Sequence, residues 1–171
     1  MERNFNSQRV AILVDGSNLF MTAVRLGVRV NHFNLLQRLN HRQIVRALLY
    51  HVEVNPEREK CFLKRIKKLG FDVRSKPLKT YSDGTKKGDM DVDLTVDAVC
   101  LAEKVDAVCI VSGDGDYVPL VRYLKSRGVR VEAMSFQCNA SIELRKAVDT
   151  FIPITDDLLF RSEPVRSDGS A

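Results

Sequence analysis

Two apolar runs of the sequence each end in a turn that is rich in short polar side chains. The runs are residues 10–14 and 107–111, and the polar residues that follow them are Asp15, Ser17, Asn18, Ser112, Asp114 and Asp116. In open parallel sheets, ligands bind outside the carboxyl ends of the strands, at the point where the strand order reverses. If the two runs are neighbouring strands at that point, three carboxylates converge on one crevice. Aspartate and serine after a strand also cap helices, which is the alternative interpretation for either turn taken alone.

A third acidic group lies in a predicted helix farther along the chain. With about 3.6 residues per turn, Asp91 shares a helix face with Leu94 and Ala98, which we expect to pack on the sheet. A carboxylate at the inward end of that face is costly to bury without a positive charge beside it, so Asp91 is the candidate from this group. Asp93 is assigned to the solvated face, where an acid in the first turn complements the helix dipole. Asp97 lies at the border of the two faces and is a weaker candidate.

These carboxylates, with few nitrogen or sulfur ligands near them, suit a hard cation such as Mg²⁺ or Mn²⁺. Aspartates as close in sequence as Asp114 and Asp116 also repel each other unless a cation compensates their charge. Bound ions of this kind activate water and stabilise the leaving oxygen of a phosphodiester. Basic residues near the predicted crevice are placed to hold flanking phosphates, with an ordinary solvated surface as the alternative. They are Arg74, Lys76, Lys79, Lys86 and Lys87.

Other chemistries find little support in the sequence. Residues 91–95 match the DxDxT pattern of haloacid-dehalogenase phosphatases, but polar residues precede them where that pattern requires a buried strand. The same acids imitate the start of a calcium loop, yet its sixth and twelfth positions are Leu94 and Cys100 instead of glycine and glutamate. The sequence contains no Walker A, GxGxxG or GxSxG motif and no CxxC pair, and its three histidines form no ligand pattern.

The elements that must position these residues are apolar β-rich runs that alternate with helical patterns. That alternation predicts an α/β domain with a mostly parallel central sheet. The 171 residues suffice for one domain, and 27 lysines and arginines against 22 acids give a net charge of +5, which tolerates a polyanionic partner. The apolar runs are shorter than the roughly 18 to 20 residues of a membrane span, and no secretory signal is evident. We therefore expect a cytoplasmic protein without membrane contact.

We predict one folded domain over residues 9–155. Residues 1–8 are expected to form a disordered N-terminus, and residues 156–171 a polar, flexible C-terminal tail. The polar segment 77–88 precedes the acidic helix and contains the turn signal Ser82–Thr85. That signal indicates a hairpin excursion or a mobile loop.

Taken together, these residues resemble the NYN domain family, in particular its LabA-like branch within the PIN-domain superfamily. The resemblance covers roughly residues 9–154. It rests on three motifs in a fixed order, which are VDGSNL after the first strand, KGDMDVDLTVD on the central helix and VSGDGDYVPL after a later core strand. Each motif alone is weak evidence, but the ordered triplet is specific.

The resemblance implies a PIN-like three-layer α/β/α sandwich with a metal-dependent, ribonuclease-type site. In that comparison Asp15, Asp91, Asp114 and Asp116 look like the metal-binding carboxylates, and Asn18 looks like the polar residue that orients water, metal or the scissile phosphate. The residues that we expect to support this set are Ser17, Asp97 and Ser112, and those that we expect to contact substrate are Lys86 and Lys87. A homodimer is plausible by analogy with PIN-like domains.

The leading hypothesis is a nuclease that depends on Mg²⁺ or Mn²⁺ and cleaves nucleic acid, RNA in preference to DNA, with a metal-activated water. A second hypothesis is a regulator that binds nucleic acid or protein on a PIN-like fold without turnover. A third hypothesis is a phosphatase or nucleotide-processing enzyme that uses the same metal site.

Overall fold

The computed structural model describes residues 7–80, 82–83 and 86–160. In that part of the chain the strands are β1 Arg9–Asp15, β2 Gln43–Glu53, β3 Asp72–Pro77, β4 Lys79–Thr80, β5 Lys86–Lys87, β6 Ala107–Val111, β7 Arg130–Ser135 and β8 Thr150–Pro153. The α-helices are α1 Gly16–Leu26, α2 His32–Leu39, α3 Pro56–Lys68, α4 Asp91–Leu101, α5 Val118–Ser126 and α6 Ile142–Ala147. Short 3-10 helices lie at Gly115–Tyr117 and Asp156–Leu158.

Six strands form one sheet in the order β3-β2-β1-β6-β7-β8, and every pairing in it is parallel. From β1 the chain moves outward through β2 to β3 and then returns to the other side of β1 with β6. The strand order therefore reverses between β1 and β6, where Val14 pairs with Val111. The carboxyl ends of these two strands lie side by side, which is where sheets of this kind bind ligands.

Helices cover both faces of the sheet. Helices α1 to α3 supply Leu19 and Ile66 to the core on one face, and α4 to α6 supply Leu94 and Leu124 to the core on the other. The central strand β1 serves both cores, because successive side chains of a strand point to opposite faces. This arrangement confirms the predicted three-layer α/β/α sandwich.

The polar segment before α4 forms a two-stranded antiparallel hairpin of β4 and β5, apart from the main sheet. Within the polar segment 77–88, residues 81, 84 and 85 lie outside the described residues. At the other end, the folded part of the chain continues beyond residue 155. Leu158 is buried and Leu159 bridges to Val30, so residues 156–160 pack on the domain instead of belonging to the predicted tail. Of the predicted disordered N-terminus, residues 7 and 8 are described, and the carbonyl of Gln8 accepts from the N–H of Gln43 at 3.0 Å. The rest of the two predicted ends, residues 1–6 and 161–171, lies outside the described residues.

None of the helices in the described part of the chain has the length and the apolar character that a bilayer span requires.

Candidate active site

Asp15 is fixed at the end of β1 by the turn into α1. Its side chain caps α1, because Oδ1 accepts a hydrogen bond from the backbone N–H of Asn18 at 3.0 Å. The next residue must be small, since a Cβ atom on Gly16 would lie 2.5 Å from the carbonyl oxygen of Tyr50 in β2. The close approach of α1 to the sheet therefore holds the Asp15 carboxylate at the sheet edge, where it is 7% exposed.

The second oxygen of Asp15 meets two hydroxyl groups. Ser112, which follows β6, donates from Oγ to Asp15 Oδ2 at 3.1 Å. The hydroxyl of Tyr117 lies 3.2 Å from the same oxygen and 2.7 Å from Oδ1 of Asp91. Tyr117 is 2% exposed, and its hydroxyl joins a carboxylate at the end of β1 to one at the start of α4. We call this contact the Tyr117 bridge.

Asp91 begins α4 with its side chain half-buried. The predicted helix phase is observed, because Leu94 and Ala98 are completely buried beneath it. Asp93, assigned to the solvated face, is exposed and pairs with Lys76 at 3.0 Å. The structure therefore turns Asp91 towards Asp15 and leaves Asp93 at the surface.

Asp114 and Asp116 follow β6 on a single turn of 3-10 helix. Oδ1 of Asp114 accepts from the backbone N–H of Asp116 at 3.0 Å, so Asp114 caps this turn as Asp15 caps α1. Capping is thus observed at both acidic turns. It does not exclude a further role, because capping engages only Oδ1 of each carboxylate. Asp114 is half-buried and Asp116 is exposed.

The four aspartates of this crevice form a negative site whose charge no described cation balances. Burial raises the pKa of Asp15 and the negative charge of Asp91 adds to the shift. Burial also raises the pKa of Asp91, and Asp114 and Asp116 raise it further. Among the described residues, none of these four aspartates takes part in an ion pair. Burial and the two carboxylates also raise the pKa of Tyr117, which keeps its hydroxyl neutral.

Asn18 connects three segments around the crevice. Its Oδ1 accepts from the backbone N–H of Gly113 and from Nδ2 of Asn139, both at 3.1 Å. Because a backbone N–H can only donate, the contact with Gly113 fixes which end of the amide is oxygen. Gly113 itself has no room for a side chain, since a Cβ atom would lie 2.5 Å from the carbonyl oxygen of Asn139.

The remaining predicted site residues lie around this centre. Asp97 accepts from the hydroxyl of Tyr50 at 2.9 Å and lies 3.5 Å from Nε of Arg74, so it ties α4 to β2 and β3. Ser17 is half-buried in the first turn of α1. Lys86 and Lys87 form β5, where their backbone pairs with β4. Of the predicted basic rim, Lys79 is exposed, whereas Arg74 and Lys76 pair with carboxylates of α4.

The donor chemistry of the crevice fits a hard divalent cation. Within the described residues, no three acidic, histidine or cysteine side chains form a group that could hold a metal ion in this conformation. The crevice nevertheless offers carboxylate and hydroxyl oxygens together with unbalanced negative charge, which is the donor set that Mg²⁺ and Mn²⁺ prefer.

The sequence interpretation missed three residues of this site. Tyr117 links two carboxylates, Asn139 holds Asn18, and Tyr50 binds Asp97. The one signal for Tyr117 is its place directly after Asp116 in the third motif. Asn139 and Tyr50 lie in segments whose composition gives no such signal.

Comparison with known proteins identifies the family of this chain and some of its relatives. The sequence model of the NYN domain matches residues 9–156. The chain is 26% identical over 161 residues to the low amplitude and bright protein LabA of Synechococcus elongatus, which covers 89% of this chain and 87% of that protein. It is 23% identical over 151 residues to the uncharacterized protein MJ0482 of Methanocaldococcus jannaschii, covering 87% of this chain and 56% of that protein.

A solved structure has the same architecture. The crystal structure of VPA0982 from Vibrio parahaemolyticus, a protein of unknown function, superposes with a TM-score of 0.83. The two sequences are 30% identical, and the match covers 94% of this chain and all of that chain.

Proposed function

The chain belongs to the NYN domain family, in its LabA-like branch, and on that premise we propose that it is a metal-dependent nuclease that hydrolyses phosphodiester bonds in RNA. Membership of the family supports a nuclease-related role that involves RNA. The observation that carries the proposal is the Tyr117 bridge, in which one hydroxyl lies within hydrogen-bond distance of the carboxylates of both Asp15 and Asp91, beside the reversal point of the sheet. Burial and the neighbouring carboxylates raise the pKa of both groups, and carboxylates with such shifts are often functional.

In this proposal, the residues that would hold Mg²⁺ or Mn²⁺ are Asp15, Asp91, Asp114 and Asp116. A bound ion of this type supplies Lewis acidity at the phosphate and a water of lowered pKa. The chain orients the Asp15 carboxylate for that charge, because the Asn18 N–H and the Ser112 hydroxyl each donate to one of its two oxygens. A carboxylate that is oriented beforehand loses little entropy when it binds.

Asn18 has a defined role in the same proposal. Its Oδ1 is engaged by Gly113 and Asn139, so the group that it offers to a ligand is the Nδ2 amide, a donor. We assign this amide to a phosphate oxygen or to the attacking water, both of which accept hydrogen bonds.

The charge distribution favours a polyanionic substrate. The net charge is +5 although 4 of the 22 acids stand around the crevice, so the rest of the molecule is more basic than the total suggests. A basic surface attracts the phosphate backbone of a nucleic acid from any direction. The acidic crevice can bind a phosphate once a cation has neutralised its carboxylates.

The proposal is tested by cleavage of an end-labelled single-stranded RNA in Mn²⁺, Mg²⁺ or EDTA. We expect the wild type to cleave in either metal and not in EDTA, and we expect Asp15→Asn and Asp114→Asn to be inactive. Asp72→Asn is the matched control, because Asp72 is an exposed acid paired with Arg46 on the edge strand and its substitution should leave cleavage unchanged. Cleavage in EDTA, or active Asp15→Asn protein, contradicts the mechanism.

Two further experiments distinguish a nuclease from the two alternative functions. A panel of nucleotides and phosphomonoesters, turned over in preference to the oligonucleotide, would identify a phosphatase or nucleotide-processing enzyme instead. RNA binding in EDTA that both aspartate variants retain, without cleavage in any metal, would identify a binding protein.

A further inference from the structure

A cavity in the described part of the chain lies on the opposite face of the sheet from the acidic crevice. It has a volume of about 480 Å³ and opens between α1 and α3, over β2. Apolar side chains form most of its wall, and the deepest of them are Leu19, Ala23, Leu49 and Ile66. A cavity of this size and lining is typical of sites for small molecules.

The mouth of the cavity is unusually apolar for a protein surface. Phe20 is 63% exposed, Val24 59%, Phe33 50% and Phe160 46%, and all four line the cavity. Large apolar side chains that are exposed around one concavity indicate a binding site more often than chance exposure.

The charges of the lining have a single sign. Among the described residues, Arg29 and Arg65 are the charged side chains of the lining, which includes no aspartate or glutamate from that part of the chain. The guanidinium of Arg29 lies 5.2 Å from the ring centroid of Phe160, whereas Arg65 enters none of the ion pairs between described residues. The charge of Arg65 contributes to the lowered pKa of His32, after burial, so the guanidinium lies near that ring. An anion is the complementary charge.

Polar side chains of the lining that could recognise a nucleobase already form hydrogen bonds within the protein. Oδ1 of Asn31 caps α2 through the N–H groups of Phe33 and Asn34, and Nε2 of His51 contacts Glu59 at 2.8 Å. Recognition of a nucleobase needs hydrogen bonds to the edges of the base, and the lining of this cavity has few polar groups left to form them.

A second copy of the chain is also a poor match. Helix α3 forms one wall and exposes Lys60, Lys64, Lys67 and Lys68, so a copy of this basic chain would bring like charges together.

From the shape, the apolar wall and the single sign of charge, we propose that the cavity binds a small amphipathic acid. The apolar body lies between α1 and α3, and the carboxylate pairs with Arg65 at the mouth. This site is independent of the proposed nuclease activity.

The test measures binding by calorimetry with the full chain and three probes of equal chain length, each below its micelle concentration. The probes are decanoate, decan-1-ol and decyltrimethylammonium. We expect decanoate to bind saturably with one molecule per chain, about tenfold or more tighter than decan-1-ol, because a hydrogen bond between charged groups contributes more than one to a neutral hydroxyl. The cationic probe should not bind.

Variants locate the site. Arg65→Gln should reduce the affinity for decanoate to that for decan-1-ol, whereas Arg58→Gln, an equal loss of charge on the same helix outside the lining, should not. Val24→Phe at the exposed mouth should weaken both probes without destabilising the fold. No saturable binding, or equal loss in both arginine variants, overturns the proposal.

Two other occupants would also overturn it. Tighter binding of adenosine monophosphate than of decanoate, lost in Arg65→Gln, would assign the cavity to a nucleotide. A dimer in light scattering that Val24→Phe dissociates would assign it to a second copy.

Discussion

Two buried carboxylates on the same sheet have opposite surroundings. Towards the amino ends of the strands, Glu132 is 4% exposed and accepts from Arg42 at 2.8 Å and from Arg130 at 3.0 Å. At the carboxyl ends, Asp15 is 7% exposed. Its hydrogen-bond partners among the described residues are uncharged, and its charged neighbour is Asp91. The two carboxylates are thus similarly buried, but arginines balance the charge of Glu132 and no described cation balances that of Asp15. The compensated end stabilises the fold, and the uncompensated end is the one that a cation would complete.

The largest effect expected from this contrast is the loss of stability in Glu132→Gln. Removal of this charge leaves Arg42, itself 8% exposed, as a buried cation without its carboxylate. We expect the free energy of unfolding, measured in urea, to fall by about 3–5 kcal/mol. RNA cleavage per folded molecule should not change. Glu103→Gln, which disrupts an exposed pair with Arg127, is the control and should cost about 0–1 kcal/mol. An equal effect of the two variants would show that burial does not distinguish the pairs.

The next largest effect tests the uncompensated end. If the crevice takes a cation, Mg²⁺ at 100 times its dissociation constant should raise the free energy of unfolding by about 2.7 kcal/mol. Asp15→Asn should abolish this protection, and Asp72→Asn should keep it. Sodium chloride at the same ionic strength is the control for screening. Protection that survives in Asp15→Asn would place the cation elsewhere.

The Tyr117 bridge should have a smaller effect, since Tyr117 acts on Asp15 and Asp91 and not on substrate. Partners that orient metal ligands typically contribute 10–100-fold to affinity or activity. We expect Tyr117→Phe to lower cleavage by about that factor and to raise the Mg²⁺ concentration needed for half-maximal rate. Tyr123→Phe, at a residue that is 43% exposed, should have no effect. A lower rate at saturating Mg²⁺ with unchanged metal dependence would argue against a positioning role.

The sequence was sufficient to predict features that follow from local periodicity. Alternation of strand and helix patterns predicts the parallel sheet, and helical spacing places Asp91 on the buried side of α4. The sequence also indicates that both apolar runs end at a polar turn, whereas the pairing of the two strands is seen in the structure, where Val14 pairs with Val111. These inferences hold because a period of two or 3.6 residues determines on which face a side chain lies.

Contacts between distant segments could not be predicted in this way. Tyr117 is 102 residues from Asp15, and Asn139 is 121 residues from Asn18. No periodic pattern relates such pairs, since their contact depends on how α4, α5 and the loop after β7 pack together. The cavity between α1 and α3 is likewise a product of helix spacing, which the apolar pattern of each helix does not determine.

The smallest expected effect is on the pH dependence of stability, which should have opposite signs for Asp15, without a described cation beside it, and for Asp106, which is paired with Arg9. Burial raises the pKa of Asp15 above its ordinary value of 3.8, so the native state holds this proton more tightly than the unfolded chain does. Stability from Asp15 is therefore present at low pH and is lost as the pH rises above about 3.8 through the raised pKa. Hydrogen bonds from Arg9 lower the pKa of Asp106, so its contribution is present above 3.8 and is lost as the pH falls through the lowered pKa. We measure the urea midpoint of unfolding in EDTA. Asp15→Asn should have the same midpoint as the wild type near pH 3 and a higher one at pH 8. Asp106→Asn should have a lower midpoint than the wild type at pH 8 and approach it at acid pH. A midpoint for Asp15→Asn below that of the wild type at pH 8 would mean that the buried carboxylate is compensated after all.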